Sequence, residues 1–124
     1  MSDNPQVLER TDAEGGLDLD PTTIERRERY KLICGLVVPR PVALVTTLSE
    51  DGVVNAAPFS FFNIFSEEPA VAVLGLNARP EGGLKDTTRN IEASGEYVIH
   101  LVSDSQADAM NVCAVNFPPD ISEI

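Results

Sequence analysis

One stretch, residues 55–66, constrains the fold most, because it holds four of the chain's five phenylalanines among small and amide side chains. Such alternation favours a strand with one buried face and one face that offers hydrogen-bonding groups beside aromatic edges. Pro58 has no N–H for a strand neighbour, so it favours an edge strand, a bulge or a strand end. An irregular core strand would look similar, and the residues alone leave both interpretations open. The expected faces are Phe59, Phe61 and Ile64 on one side, and Ser60, Phe62 and Asn63 on the other.

Turn signals divide much of the remaining chain into strands. The runs at residues 42–49 and 53–56, joined by a tight turn at 50–52, predict a β-hairpin. Apolar runs at residues 70–76 and 96–102 predict two further strands. We therefore expect a mainly antiparallel sheet.

Cap and stop residues predict helices around this sheet. Asp and Ser residues can cap a helix start, and glycine commonly ends one. These signals place one helix at residues 22–34, between Asp20 and Gly35. A second is placed at 84–94, with Asp86 capping its first turn and Gly95 as its stop, and a third from a capping box at Ser103 and Gln106 to about Phe117.

The length of 124 residues suits one domain with its own core. Residues 1–19 are polar and acidic and show no sustained period, so we expect a flexible N-terminal tail there. The single domain would then occupy residues 20–124.

Composition narrows the choice of partners and compartment. With 9 basic and 20 acidic residues, the chain carries a formal charge of −11, which would repel nucleic acid. No apolar run approaches the roughly 20 residues that span a bilayer, and the start of the chain lacks a signal-peptide pattern. Cys34 and Cys113 have no spacing typical of a metal site or a disulfide framework. We expect a cytoplasmic protein without a metal site, and with neither nucleic acid nor membrane as partner.

Several motifs, in their order and spacing, resemble the flavin reductase-like family of FMN-binding split barrels. The resemblance extends from about residue 30 to about residue 117. It implies a mainly β fold with peripheral helices, a split β-barrel. The motifs are Pro39-Arg40-Pro41, Thr46-Thr47, Asp51-Gly52, Asn55, the run at 57–63, Pro69, Lys85-Asp86-Thr87 and Arg89-Asn90-Ile91.

The resemblance assigns a flavin site to residues whose chemistry suits it. Lys85 and the start of the helix at residue 84 suit a phosphate, since helix N-termini favour anions. The phenylalanine stretch would lie against the flavin ring, although a register slip of one residue would exchange Phe61 for Phe62. Without the resemblance, a capped helix and strand-forming threonines would explain the same residues. The implied cofactor-binding residues are Thr46, Thr47, Asn55, Pro58, Phe59, Ser60, Phe61, Asn63, Arg79, Lys85, Asp86, Thr87 and Thr88.

The implied activity is oxidoreduction, in which NADH or NADPH reduces a bound flavin and reduced flavin or electrons pass to a partner oxygenase or another acceptor. FMN is the expected flavin, with FAD as the alternative. No catalytic side chain is expected, because the flavin carries the redox chemistry, and His100 is interpreted as structural. Two alternatives remain open: an FMN-binding module without nicotinamide activity, and a non-catalytic interaction domain.

Family members are typically homodimers and continue for several dozen residues beyond the region of Phe117. The resemblance therefore implies a C-terminally truncated barrel. Such a barrel would have an unpaired sheet edge and an incompletely covered apolar face.

Overall fold

The computed structural model describes residues 10–11 and 17–124, with side chains from residue 18 onward. They belong to two compact units, Met1–Pro39 and Arg40–Ile124. The predicted flexible tail lies mostly outside the described residues. Its described part includes two short antiparallel strands, β1 (Arg10–Thr11) and β2 (Leu17–Asp18). The domain boundary at residue 20 stays a prediction.

The helix of the first unit, α1 (Arg26–Leu36), starts and ends later than the sequence predicts. Asp20 begins a separate turn that precedes α1. Its Oδ1 accepts from the hydroxyl of Thr22 at 2.7 Å and from the Thr22 N–H at 2.8 Å. Both bonds lower the pKa of Asp20, and the bond from the Thr22 hydroxyl has the larger effect. Glu25 is the actual N-cap, accepting from the Arg27 N–H at 2.7 Å. The expected stop at Gly35 is wrong, since the helix runs through it.

The second unit contains five strands. β3 pairs antiparallel with both β4 and β7 in a three-stranded sheet, and β5 pairs with β6 as a separate hairpin. The predicted hairpin at residues 42–56 and the predicted strands at 70–76 and 96–102 are confirmed; three of these strands are shorter than expected, and the second hairpin strand extends three residues further, to Phe59. The strands are β3 (Ala43–Leu48), β4 (Val54–Phe59), β5 (Phe62–Glu67), β6 (Ala70–Leu74) and β7 (Val98–His100).

The phenylalanine stretch is not one strand. β4 ends at Phe59 and β5 begins at Phe62, so the chain bends at residues 60–61. At the bend the Gly75 N–H donates to the Phe61 carbonyl at 2.7 Å, and a Cβ on Gly75 would lie 2.8 Å from the Phe61 Cβ. The expected faces are therefore wrong beyond the bend: Phe62 packs against the core, and Ile64 is exposed.

β5 also carries a bulge. Ile64 pairs with Ala72 and Ser66 pairs with Val71, which leaves Phe65 without an opposite residue in β6. An extra residue of this kind bends and twists its strand. The Phe65 side chain is 70% exposed.

The core lies on one face of the three-stranded sheet. Its main cluster has Ala43 and Val45 of β3, both fully buried, with Phe59 of β4 beside them; Ala56 of β4 is also fully buried but lies outside this cluster. Side chains from β7 and from the β5–β6 hairpin pack against the three residues of the cluster, so the hairpin covers the end of the sheet where Ala43 and Phe59 are paired. The partly buried members are Ala57, Phe62, Leu74, Leu76 and Ile99.

The second helix, α2 (Asp86–Ser94), ends as predicted at Gly95, whose N–H donates to the Ile91 carbonyl at 2.8 Å. Gly95 has φ of 75°, which glycine adopts without steric cost. The predicted cap at Asp86 is wrong: Lys85 occupies the N-cap position and its side chain makes no cap bond, while the Asp86 carboxylate pairs with arginines.

The last helical segment begins at the predicted capping box, in which Oε1 of Gln106 accepts from the Ser103 N–H at 3.1 Å. A short 3-10 helix (Asp104–Gln106) leads into α3 (Ala107–Val112), which ends before Phe117. Among residues 17–124, no helix has the length and apolar character needed to cross a bilayer.

Candidate functional site

Four side chains form a hydrogen-bonded network between α2 and the sheet. Oγ1 of Thr47 accepts from Nδ2 of Asn55 at 3.3 Å and from Nδ2 of Asn90 at 3.0 Å. The second hydrogen of the Asn55 amide goes to Oγ1 of Thr87 at 3.0 Å. Thr47, Thr87 and Asn90 are 5%, 2% and 9% exposed. Because buried polar groups cost free energy unless they are paired, this network fixes α2 on β3 and β4.

The local structure brings these four residues together. Thr47 and Asn55 are directly opposite each other in the β3–β4 ladder and so share one face of the sheet. Thr87 and Asn90 are three residues apart in α2 and so share one face of the helix. The network therefore continues the core face beyond Val45, toward the end of the sheet that the β5–β6 hairpin does not cover.

A small cleft opens beside this network, at the start of α2. We call it the Lys85 cleft. Its volume is about 120 Å³. It contains six of the thirteen predicted cofactor residues, together with residues 113–117 and Glu123. The six are Asn55, Pro58, Arg79, Lys85, Asp86 and Thr87.

The lining of the Lys85 cleft holds two cations, Arg79 and Lys85, and two carboxylates, Asp86 and Glu123, while Arg89 approaches Asp86 from outside the lining. Asp86 accepts from Arg79 at 2.7 Å and also pairs with Arg89. With Lys85 and Glu123, this neighbourhood holds three cations and two carboxylates. The N–H groups of the first turn of α2 have no partner within the helix and Lys85 provides no side-chain cap, so they suit an anion.

Lys85 also contacts the aromatic part of the predicted site. Its Nζ lies 5.5 Å from the centroid of the Phe59 ring, within the range of a cation–π interaction. Phe59 itself is only 6% exposed and belongs to the core. Phe59 therefore contacts Lys85 but offers little exposed surface to a ligand.

The other predicted residues lie elsewhere. Thr46 lies on the opposite face of β3 from Thr47, since adjacent strand residues point to opposite faces. Its Oγ1 is 2.8 Å from Nε2 of His100. The exposed Asn63 bonds the N–H of Ile64 at 2.8 Å. The remaining three are Ser60 and Phe61 at the bend and Thr88 on α2, all half-buried.

A larger cavity, of about 460 Å³, lies near the far end of α2 and is lined by Thr46, Thr47, Tyr97 and Val98 among others. It contains two of the predicted residues, Thr46 and Thr47, but none of the cations of the Lys85 cleft. Of the thirteen predicted residues, six thus line the Lys85 cleft, two line the larger cavity, and five line neither.

Two residues next to the site were not assigned from the sequence. Asn90 is a poor helix former in the middle of a helix, three residues after Thr87, and that pattern could have indicated a role in contacts with the sheet. Glu123 Oε2 accepts from the N–H of Ala56 at 2.9 Å, on the edge strand β4. No local pattern predicts that contact, which joins residues 67 positions apart.

Solved structures establish the class of protein. Nitrilotriacetate monooxygenase component B from Bacillus cereus is 38% identical, with a TM-score of 0.79 over 87% of this chain. The Pseudomonas fluorescens 2-nitrobenzoate 2-nitroreductase is 37% identical, with a TM-score of 0.70 over 86% of this chain. A Shewanella frigidimarina structure with a split barrel domain has a TM-score of 0.67 at 22% identity, which bears on the fold alone. The predicted class, a mainly β split-barrel protein with peripheral helices, is confirmed.

Residues 35–124 match the model of the flavin reductase like domain, so the chain belongs to the flavin reductase-like family. An uncharacterized Halalkalibacterium halodurans protein is 44% identical over 87% of this chain. The uncharacterized protein YwrF of Bacillus subtilis is 45% identical over 82% of it.

The chain spans about half the length of these relatives, 52% of the first and 49% of the second. It covers 53% of the nitrilotriacetate monooxygenase component B chain and 49% of the nitroreductase chain. The activity of the whole protein is therefore treated below as a proposal.

Proposed function

We propose that this protein binds FMN and reduces it with NADH or NADPH, passing reduced flavin or electrons to a partner oxygenase or another acceptor. The observation that carries the proposal is the Lys85 cleft, where Lys85 and Arg79 lie at the start of α2 in a chain of the flavin reductase-like family. FMN, when bound, would accept a hydride and hold the electrons until they are transferred. No acid or base on the protein is required for that transfer.

The side chains around the Lys85 cleft fit the phosphate end of FMN. Lys85 supplies a charge, and the first turn of α2 supplies N–H donors. Arg79 and Arg89 hold Asp86, so its carboxylate is neutralised locally and opposes an anionic ligand less. A phosphate is therefore favoured over a neutral group at this position.

The flavin ring does not fit inside the Lys85 cleft. At about 120 Å³ the cleft is smaller than the roughly 300–1,000 Å³ typical of pockets that enclose a whole small molecule. We therefore place the flavin ring outside the cleft, toward the bend at residues 60–61 and Asn63. Contact between the ring and Phe59 to Asn63 stays a prediction.

Two further parts of the proposal concern assembly and location. We propose a homodimer, since large exposed apolar side chains such as Ile64 and Phe65 on the β5–β6 hairpin suit a covered surface. We propose a cytoplasmic location, because the spacing of Cys34 and Cys113 does not suggest the disulfide framework of a secreted domain.

Two measurements test the proposal. Titration of the protein with FMN, followed by flavin fluorescence, should give saturable binding that is tighter for FMN than for riboflavin. Steady-state oxidation of NADH and of NADPH, with catalytic protein and added FMN, should then exceed the rate without protein. FMN binding without nicotinamide oxidation would indicate the binding-module alternative, and absence of both would indicate the interaction domain.

A further inference from the structure

We propose that Asn90 is a positioning residue for the flavin phosphate: it anchors α2 to β3 through Thr47 and thereby fixes the hydrogen-bonding direction of the Asn55 amide beside the Lys85 cleft. The inference rests on the proposed function, since it concerns the same site. Asn90 does not line the cleft. It acts through the two residues it orders.

The direction of each hydrogen bond in the network follows from the number of donors and acceptors. A threonine hydroxyl has two acceptor positions and one donor. Asn55 and Asn90 donate to both acceptor positions of Thr47, so Thr47 can take no third donor. The donated groups are amide N–H groups, which cannot accept.

The orientation of the Asn55 side-chain amide follows from the same count of donors and acceptors. Its amide has two hydrogens, and these go to Thr47 and Thr87. Its carbonyl oxygen Oδ1 is then the only polar group that its side chain can offer to a ligand. Because Asn55 lines the Lys85 cleft, the site presents an acceptor for a hydroxyl beside the cations that suit a phosphate. A phosphorylated sugar alcohol, the chain that links the ring to the phosphate in FMN, has that pair of groups.

Loss of the Asn90 donor would have two effects, one on Thr47 and one on the attachment of α2 to β3. Thr47 would regain an open acceptor position, and α2 would lose a buried bond to β3 near the middle of the helix. The bond from Asn55 to Thr87 would remain as the other side-chain hydrogen bond between α2 and the sheet in the described network. The start of α2, with Lys85, could then shift relative to Asn55, and phosphate binding should weaken more than binding of the neutral flavin.

The decisive variant is Asn90→Leu, which keeps the branched shape of the side chain and removes the donors. The measured quantity is the ratio of the riboflavin Kd to the FMN Kd, which isolates the phosphate contribution. We expect this ratio to fall by about fivefold, the equivalent of one lost hydrogen bond. Val45→Ala is the matched control, because Val45 is fully buried in the core outside the network. It should lower the melting temperature and leave the ratio unchanged.

A second readout needs no ligand. In the free wild-type protein, the side-chain amide hydrogens of Asn55 and Asn90 should exchange with solvent more slowly than those of the exposed Asn63 and Asn77 in NMR spectra. In Asn90→Leu the Asn55 side-chain signals should shift and exchange faster. This readout also decides the matter if the variant binds flavin too weakly for a ratio to be measured.

The outcomes separate this inference from the proposed function. If the wild-type protein binds FMN no better than riboflavin, the phosphate assignment fails, and the positioning role with it. If the wild type discriminates and Asn90→Leu keeps the full ratio with unchanged Asn55 signals, the positioning role is overturned while the flavin site stands. A reduced ratio in Asn90→Leu, beside an unchanged ratio in a Val45→Ala variant whose melting temperature is also lowered, supports positioning over a general loss of stability.

Discussion

Removal of Lys85 provides a direct test of the phosphate site. In Lys85→Ala the cleft loses its half-buried cation, while the arginines that hold Asp86 remain. A hydrogen bond to a charged group contributes about 1.5–3 kcal/mol, so the Kd for FMN should rise by about 10- to 150-fold. Riboflavin, which lacks the phosphate, should lose much less.

The same variant has a separate effect on the free protein. Nζ of Lys85 lies 5.5 Å from the Phe59 ring centroid, and an interaction of this kind contributes about 0.5–1 kcal/mol at an exposed site. We therefore expect a small decrease in the free energy of unfolding, measured in urea. That decrease should be independent of flavin.

Fluorescence titrations of FMN and riboflavin against three variants complete the design. Lys85→Arg should keep most of the FMN affinity because it keeps the charge. Lys31→Ala is the control, since Lys31 is exposed and pairs with Glu28 on α1 at 2.8 Å. If Lys85→Ala weakens FMN and riboflavin by equal factors, or if Lys31→Ala has the same effect, the assignment of the phosphate to Lys85 is wrong.

Three further predictions concern single residues. His100→Gln should keep most of the turnover with NADH, because hydride transfer needs no protein acid or base; a folded, FMN-binding variant without turnover would contradict this. Gly75→Ala should destabilise the protein by about 1–3 kcal/mol, because the added Cβ would lie 2.8 Å from the Phe61 side chain. Gly35→Ala has open space around it in α1 and should stabilise that helix by up to about 1 kcal/mol. Urea unfolding followed by circular dichroism should show changes of opposite sign for the two variants. Hydrogen bonds from Thr22 lower the pKa of Asp20 in the folded protein, so their contribution is present at neutral pH and is lost as the pH falls through the lowered value; an NMR titration should give a midpoint below 3.8, and a midpoint at or above it would refute the effect.

Features that depend on a few neighbouring residues could be predicted from the sequence. The β3–β4 hairpin follows from its tight turn, where Gly52 has φ of 80°. The end of α2 follows from Gly95 in the same way. In both cases glycine relieves a local steric restriction, so the signal and its cause lie at one position.

Features that depend on distant contacts could not be predicted in this way. The bend at residues 60–61 forms where Gly75 approaches Phe61 closely, and the pattern of the phenylalanine stretch alone gives no sign of it. Asp86 suits a helix cap by its type, but it pairs instead with Arg79 in the preceding loop and with Arg89 one turn further along α2, and its type alone does not decide between these partners. Local preference is weak compared with such tertiary contacts.

The candidate site was predicted in part for the same reason. The resemblance to the family predicts Lys85 and Asn55 as cofactor-binding residues, and both line the same cleft. The contacts of this network with α2 were not predictable, because the bond from Asn55 to Thr87 spans 32 positions and the bond from Asn90 to Thr47 spans 43. Thr46 and Thr47, adjacent in sequence, point to opposite faces of β3.

The bulge in β5 gives the chain one position where its length can change. Deletion of a residue elsewhere in a strand would turn every later side chain to the other face. Phe65 is the residue without an opposite partner, and its deletion would bring Ile64 and Ser66 into a regular ladder with Ala72 and Val71. Among the described residues of β5, this is the position at which natural sequences could lose one residue and keep both the hairpin and the packing of Phe62 against the core.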